Sequence, residues 1–389
     1  MHSSPTLNHL LSNSIASLMQ RGVYPRLDES NKFCNLDYDQ IEAKNGDPIV
    51  EECRGLVIQK PDGSEFKSDF SDFGEFVVCC RPMKRFYNYG TEHAAVLDYT
   101  KVFYMEKLDG SCIKVWWDSV NSEWSIGTRG TPKANTKIGG LHTESGFTFT
   151  TLFKFIVKDF PKFTEELDKS YTYLFELCSL WNQVVVKYPE PFISLLAVIN
   201  TETGSELNIW ELPEPSFYKK VKRYEISTFE EIFSFFNSAD PSKFEGFVVM
   251  DSEFNRIKVK HPGYNSLNAM RTAFTSSRNI TESILLGTID DALAFVSGAI
   301  KEDCEKLVAQ VADYIRENEE IWQELKTKDL PRKDFAILCQ ERKLPLSWFM
   351  NLYTKKYSTF KDAFLLTGKS KEGKYSDPYL DTIYSLVTK

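Results

Sequence analysis

What this 389-residue chain has least of narrows its chemistry first. Histidine is scarce: His2, His9, His93, His142 and His261 stand at no ligand spacing, which disfavours a metallohydrolase centre. Eight cysteines form no CxxC pair, and Cys79 and Cys80 are adjacent, an awkward start for a disulfide framework. That pattern points to a reducing compartment and away from structural zinc. No GxxxxGK[ST] sequence occurs, so a P-loop is disfavoured, and residues 139–146 (GGLHTESG) lack its lysine and read as a loop. No apolar run approaches the about 20 residues that span a bilayer. The amphipathic first 22 residues have no signal-type apolar core. The expectation is a soluble, monomeric protein of the cytoplasm, or of the host-cell cytoplasm for a viral chain, without a membrane partner. Net positive charge is lacking too: the formal value is -8, which argues against blanket coating of nucleic acid but leaves room for a local basic cleft.

What is present is ordinary globular composition, 42% hydrophobic and 26% charged, with a surplus of aromatics at 14%. Flat rings are therefore available for stacking on bases. Residues 5–21 have helical periodicity, and 53–58 read as a strand with Arg54 at its entry. The turn-rich 61–75 reads as a surface excursion. Residues 81–90 (RPMKRFYNYG) put three cations beside three aromatics, a mixture that suits phosphates and bases as well as a plain turn. Residues 112–117 and 124–128 pair as a hairpin ending in Gly127–Thr131, where small residues surround Arg129. A helix is expected over 147–168, strands over 171–177, 184–186 and 192–200, and a capped helix over 227–239.

A second hairpin is expected from 244–250 and 255–261, with Arg256, Lys258 and Lys260 on one strand face. From about residue 264 strand patterns give way to helical periodicity at 281–300, 304–321, 334–341, 345–357, 360–366 and 379–387. The class is α+β. A boundary near 265–280 divides a mixed domain, 1–270, from an all-helical one, 271–389.

The chain is organised around residues 105–114 (MEKLDGSCIK). A lysine between an apolar strand and an Asp-Gly turn is held in place while its amine stays reachable. A nucleophilic lysine needs such a setting, because an ordinary lysine is protonated at neutral pH. By itself the stretch reads equally as a β-hairpin corner with a surface lysine. Glu176, inside the apolar run 171–177, must face a polar cavity or a partner.

The ordered set Lys107-Leu108-Asp109-Gly110, Phe175-Glu176, Phe244-Glu245-Gly246 and Lys258-Val259-Lys260 resembles the covalent nucleotidyltransferases, which include polynucleotide ligases and capping enzymes. With Glu52-Cys53-Arg54-Gly55 and residues 81–88, the resemblance is to the bacteriophage-type RNA ligase 1 family, over residues 30–270. It departs from the family pattern at Arg85, often a lysine, and at Arg129 beside Gly-Thr, often a lysine beside Gly-Ser. The resemblance implies a nucleotidyltransferase domain of antiparallel sheets followed by a helical, substrate-selecting appendage. It implies ATP as cosubstrate, AMP carried on Lys107, and Mg²⁺ or Mn²⁺ as the divalent ion. The RNA partner would bear 5′-phosphate and 3′-hydroxyl ends, as in nicked tRNA, after end-healing by a polynucleotide kinase/phosphatase.

In this reading Lys107, Asp109, Lys258 and Lys260 are catalytic, and the two later lysines neutralise the α-phosphate. Asp109 orients the nucleophile or, with Glu245, holds the metal, directly or through water. Glu176 accepts from ribose hydroxyls, Arg54 and Arg85 take the outgoing phosphates, Tyr87 packs near the nucleotide, and Tyr264 reaches a phosphate. Glu106, Gly110 and Arg129 complete the nucleotide-binding set. A simpler role for Glu176 and Glu245 is salt-bridging to Lys258 and Lys260. The rival enzymes are a GTP-using capping guanylyltransferase and a DNA ligase, disfavoured by the helices that follow the second lysine motif. The rival of another class is a silent RNA-binding scaffold, disfavoured because no motif residue is missing.

Overall fold

The computed structural model describes residues 4–40, 42–135, 137–138, 146–273, 277–287, 289, 299–370 and 374–388. It divides the chain into two compact units, the first ending at Ser266 and the second beginning at Leu267. The expected loop over 139–146 and the middle of the helix expected over 281–300 lie largely outside the described residues. Among the described residues no helix is long and apolar enough to cross a membrane.

The first unit is built on three sheets. One has the order β1-β2-β3-β4: β1 Val23–Leu27, β2 Cys34–Tyr38, β3 Arg54–Gln59 and β4 Val77–Cys80. The last of the three contains β5 Tyr87–Asn88 and β6 Val102–Glu106, and the central one begins with β7 Ser111–Asp118 and β8 Glu123–Thr128. Continuing along the chain are β9 Tyr171–Cys178, β10 Phe192–Asn200, β11 Glu206–Leu207, β12 Lys219–Lys220, β13 Arg223–Tyr224, β14 Gly246–Asp251 and β15 Arg256–Lys260. The central sheet runs β11-β10-β9-β7-β8 with β12 beside β10, and the third runs β13-β6-β14-β15-β5. Pairing is antiparallel apart from two short parallel contacts, β10 with β12 and β15 with β5. The mixed α+β class expected from the pattern is observed.

Alternation explains which faces are covered. Phe175 of β9 is fully buried and meets Phe153, Phe163 and Tyr218 at ring distances of 5.6, 5.9 and 5.1 Å. The two phenylalanines come from the helices Phe149–Val157 and Phe160–Glu165, which close that face of the central sheet. The helix Phe229–Ser238 covers the third sheet with Ile232 and Phe236 against Phe247 and Val249. Its start is capped in both directions: Thr228 Oγ1 accepts from the Glu231 amide, and Glu231 accepts from the Ser227 amide.

Three expected elements differ. The helix over 5–21 breaks into Pro5–Leu10 and a 3₁₀ turn Ile15–Arg21, because Asn13 and Ser17 bond the backbone carbonyls of His9 and Ser14. The helix over 147–168 breaks at Lys158, whose φ is 62°, and restarts under the Asp159 cap with Pro161 in its first turn. Residues 184–186 form no strand, because the Val185 and Val186 amides donate to the Asp109 carboxylate instead of a ladder.

The second unit is helical in its described residues: Ser277–Leu286, Ala299–Leu325, Arg332–Glu341, Leu346–Tyr353, Phe360–Leu366 and Asp377–Val387. Its core gathers Phe335, Phe349, Phe360, Phe364 and Ile383, all nearly or fully buried.

Phe175→Ala removes the ring at the centre of the largest core and is expected to cost about 3–5 kcal/mol of unfolding free energy. Phe73→Ala, at a side chain 70% exposed, should stay within about 0.5 kcal/mol. Urea denaturation of the two variants measures the difference, and equal midpoints would contradict the core assignment.

Candidate active site

Residues 107–110 are not a hairpin corner. β6 belongs to the third sheet and β7 to the central sheet, so Lys107-Leu108-Asp109-Gly110 is the crossing between two sheets. Each end of the crossing is clamped. The Lys107 amide donates to the Gly246 carbonyl at 2.8 Å, and the Gly110 amide donates to Glu176 Oε1 at 3.1 Å. A Cβ on Gly110 would stand 2.3 Å from the Leu177 carbonyl oxygen, so only glycine lets the turn lie this close to β9.

The Lys107 side chain is 22% exposed, and its Nζ pairs with Glu245 Oε2 at 2.9 Å. The other Glu245 oxygen pairs with Lys260 Nζ at 3.0 Å. Glu245 therefore bridges the first lysine motif to the last. The bridge that residue chemistry suggested to Lys260 is present, but Lys258 takes no part in it, and Glu176 makes no ion pair among the described residues. Burial pushes the Glu176 carboxyl up to about 7 against the pull of Lys107, with Glu245 raising it further.

Two cavities meet here. A slot of about 540 Å³ is lined by Met83, Met105, Leu108, Leu196 and Val248, with Glu106, Lys107, Glu176, Arg54 and Arg256 supplying polar groups. A second chamber of about 830 Å³ shares Arg54 and Phe86 with it and adds Arg85, Arg129 and Lys258. Four cations face that chamber, and no carboxylate is among its described lining residues. An apolar slot opening on a carboxylate-free cationic chamber can hold a molecule with one flat apolar end and one polyanionic end.

The cations differ in how free they are. Arg85 is stacked between Tyr38 and Tyr87, with its guanidinium carbon 4.4 and 5.0 Å from the ring centres, and its buried Nη1 has no hydrogen-bond partner. Arg54 and Lys258 make no ion pair among the described residues and flank Phe86 at 5.9 and 5.1 Å. Lys258 is held down to about 8 by burial first and then by the charges of Arg54, Lys107, Lys260 and Arg85. Arg129 is committed: its Nε donates to Asp37 at 2.7 Å and its Nη2 to the Tyr38 carbonyl at 2.7 Å.

Several of the expected site side chains are also engaged by the protein itself. The Asp109 side chain faces away from a metal role: Oδ2 accepts from the Val185 and Val186 amides at 2.7 and 2.6 Å, and Oδ1 accepts from Tyr264 Oη at 2.7 Å. It braces the crossing. Tyr264, 2% exposed, spends its hydroxyl on that brace and not on a phosphate. Tyr87 lines the chamber, but its hydroxyl accepts from the Gly46 amide at 3.0 Å. Glu106 lines the slot and accepts from Tyr224 Oη at 3.0 Å. Arg256, on the same strand as the two lysines, is turned to a buried pair with Glu206.

No three His, Cys, Asp or Glu side chains converge on a cation position among the described residues. With Asp109 consumed by three donors and Glu245 by two lysines, the pair does not fit a resident metal centre. Sequence reasoning missed the apolar slot residues and Phe86. Leu196 and Val248 come from segments separate from Met105 and Leu108, all four read as ordinary core positions, and residues 81–88, which hold Met83 and Phe86, are mostly irregular.

The Lys258 charge is present below pH 8 and lost as pH rises through it, so the chamber weakens toward anions in alkaline solution. Inorganic pyrophosphate affinity is expected to fall several-fold between about pH 7 and about pH 9, and less steeply in Lys258→Arg. Calorimetric titration at each pH reads this, and identical slopes would place the titrating charge elsewhere.

Comparison with known proteins follows the same residues. The chain is 29% identical over 272 residues to a protein of Autographa californica nuclear polyhedrosis virus named as a proposed bifunctional polynucleotide kinase/RNA ligase, covering 67% of this chain and 37% of that one. It is 26% identical over 300 residues to an RNA ligase of Rhodothermus phage RM378, covering 61% and 64% of the two chains. The chain thus spans less than two thirds of the length of either curated relative. Among solved structures, an archaeal ATP-dependent RNA ligase aligns with a TM-score of 0.44 at 15% identity, covering 76% of this chain and 74% of that one. A family model described as RNA ligase matches residues 52–264, more than half of the chain and the segment that carries Arg54, Lys107, Glu176, Glu245 and the lysine pair. The chain belongs to that RNA ligase family.

Proposed function

We propose that this chain is an ATP-dependent RNA ligase that works through AMP bound covalently to Lys107. One observation carries the reading: the Lys107 amine lines an apolar slot that shares Arg54 with a chamber of four cations and, among the described residues, no carboxylate. Adenosine fills the slot, with Glu176 beside the ribose, and the β- and γ-phosphates lie in the chamber.

In the first step Lys107 Nζ, as the neutral amine, attacks the α-phosphorus. Its proton has an acceptor at 2.9 Å in Glu245 Oε2. The P–N bond forms as the bond to the bridging oxygen breaks, and pyrophosphate leaves among Arg54, Arg85 and Lys258. Fixed charges aimed at the leaving group stabilise it without reorganisation at the moment of reaction. In the second step an oxygen of an RNA 5′-phosphate attacks the same phosphorus and frees the lysine. In the third, an RNA 3′-hydroxyl attacks the 5′-phosphorus, forms the phosphodiester and releases AMP. Splitting the condensation this way is nucleophilic catalysis. The divalent ion, Mg²⁺ or Mn²⁺, arrives with the ATP as part of the substrate, consistent with a donor set that builds no resident centre.

RNA as the polynucleotide rests on family membership. Ends bearing 5′-phosphate and 3′-hydroxyl suit this chemistry, and nicked tRNA is a natural source. The viral relative's name couples ligase to kinase, which supports an end-healing polynucleotide kinase step before this chain joins the ends. The helical second unit, Leu267–Lys389, is assigned to substrate choice.

Purified protein incubated with α-labelled ATP and Mg²⁺ should retain label through denaturing electrophoresis, and Lys107→Ala should retain none. Arg85→Ala should label at least about tenfold more slowly, since it removes a fixed charge from the leaving group. Chasing the label with 5′-phosphorylated RNA should give a joined strand, and 5′-hydroxyl RNA should not. Label from GTP alone would move the chain to the capping branch, and no label from either nucleotide would retire the enzyme reading.

A further inference from the structure

Lys114 is 1% exposed, lies on β7 in the middle of an otherwise apolar strand, and makes no ion pair among the described residues. A buried cation without a counter-ion is costly, and an apolar residue of the same shape would commonly stabilise the fold. Its Nζ donates to Asn35 Oδ1 at 3.0 Å and to the Gly55 carbonyl at 2.5 Å. Asn35, fully buried on β2, turns its amide to the Arg129 carbonyl at 3.0 Å. One chain of three hydrogen bonds therefore ties the central sheet to the residue after Arg54 and to the backbone of Arg129.

The packing around this chain is close. Gly55 has φ +89°, and a Cβ there would stand 2.6 Å from the Arg129 carbonyl oxygen and 2.9 Å from Lys114 Nζ. A narrow space between the two sheets is lined by Arg54, Cys112, Lys114 and Arg129, so Lys114 sits directly behind the cationic chamber. Asp37 is the carboxylate that acts on Lys114, and its Oδ1 is already taken by Arg129 Nε at 2.7 Å. Burial lowers the proton affinity of Lys114, opposed in part by Cys80, Cys112 and Asp37.

We propose that Lys114, acting through Asn35 and the Gly55 carbonyl, is a positioning residue of the phosphate chamber: it fixes the backbone next to Arg54 and at Arg129, and so aims Arg54 at the polyphosphate beside the wall that Arg129 closes. It touches no substrate atom itself. The inference rests on the ATP reading above. Its consequence is selective: ligands that reach into the chamber feel Lys114, and ligands confined to the slot do not.

The test uses the full chain carrying Lys107→Ala, which forms no lysyl adduct, titrated calorimetrically with AMP and with ATP in Mg²⁺. Adding Lys114→Met should weaken ATP about tenfold and leave AMP within about twofold. Asn35→Asp gives Lys114 a carboxylate partner and so preserves folding, but it loses the donor to the Arg129 carbonyl. It too should lower the ratio of ATP to AMP affinity, with thermal melting verifying the folded state of both variants. An unchanged ratio in the variants, or an equal loss for both nucleotides, overturns the positioning role. If the parent itself shows no preference for ATP over AMP, the chamber reading falls and the brace falls with it. A parent preference that both variants keep removes the brace alone.

Discussion

A carboxylate taken out of water is costly unless opposite charge meets it, and Glu245, only 4% exposed, is met twice, by Lys107 at 2.9 Å and Lys260 at 3.0 Å. Much of the active-site geometry follows from that bridge. It brings the crossing between two sheets onto the last strand of the third sheet. The same junction is held by the backbone, since the Lys107 amide donates to Gly246. Gly246 has φ +149° and would place a Cβ 2.3 Å from the Val259 carbonyl, so the approach of β14 to β15 at this point requires glycine. The Lys107 amine and a second cation, Lys260, are thereby set by one buried group.

Around this bridge the charged residues divide into those that build and those that remain available. Asp109 with Tyr264, Arg256 with Glu206, and Arg129 with Asp37 spend their hydrogen bonds on the protein. Arg54, Arg85 and Lys258 have no such bonds among the described residues, and they face one chamber. Cations crowded without counter-ions repel one another. The fold tolerates this because aromatic faces, Tyr38, Tyr87 and Phe86, lie against them and because a polyanion would relieve the repulsion. The lowered proton affinity of Lys258 reflects its burial first and this crowding second.

The residues legible in sequence were those whose chemistry contradicts their setting. Arg54 at a buried strand, Glu176 in an apolar run and the lysine pair of β15 each stand out against the alternation around them. Lys114 carries the same signal, a cation between Ile113 and Val115, and went unused because the motif Lys107–Gly110 stops short of it. The partners of Asp109 and Tyr264 were hidden for a different reason. Their partners, the Val185 amide and one another, lie 76 and 155 positions away along the chain. Residues 184–186 looked like a strand because three β-branched valines favour one. A carboxylate that claims two successive amides overrides that propensity.

By itself the sequence determined the α+β class, the change to helices after about residue 264, and the family to which the chain belongs. Period, breaker residues and ordered motifs are local signals, and each survives without knowledge of what packs on it. Only tertiary structure decided that Lys107 lies on a crossing between sheets and not on a hairpin. It alone decided which cations are free and which are consumed, and that an apolar slot and a cationic chamber share Arg54. Those outcomes depend on pairings between residues tens to more than a hundred positions apart, and such pairings leave no periodic trace along the chain.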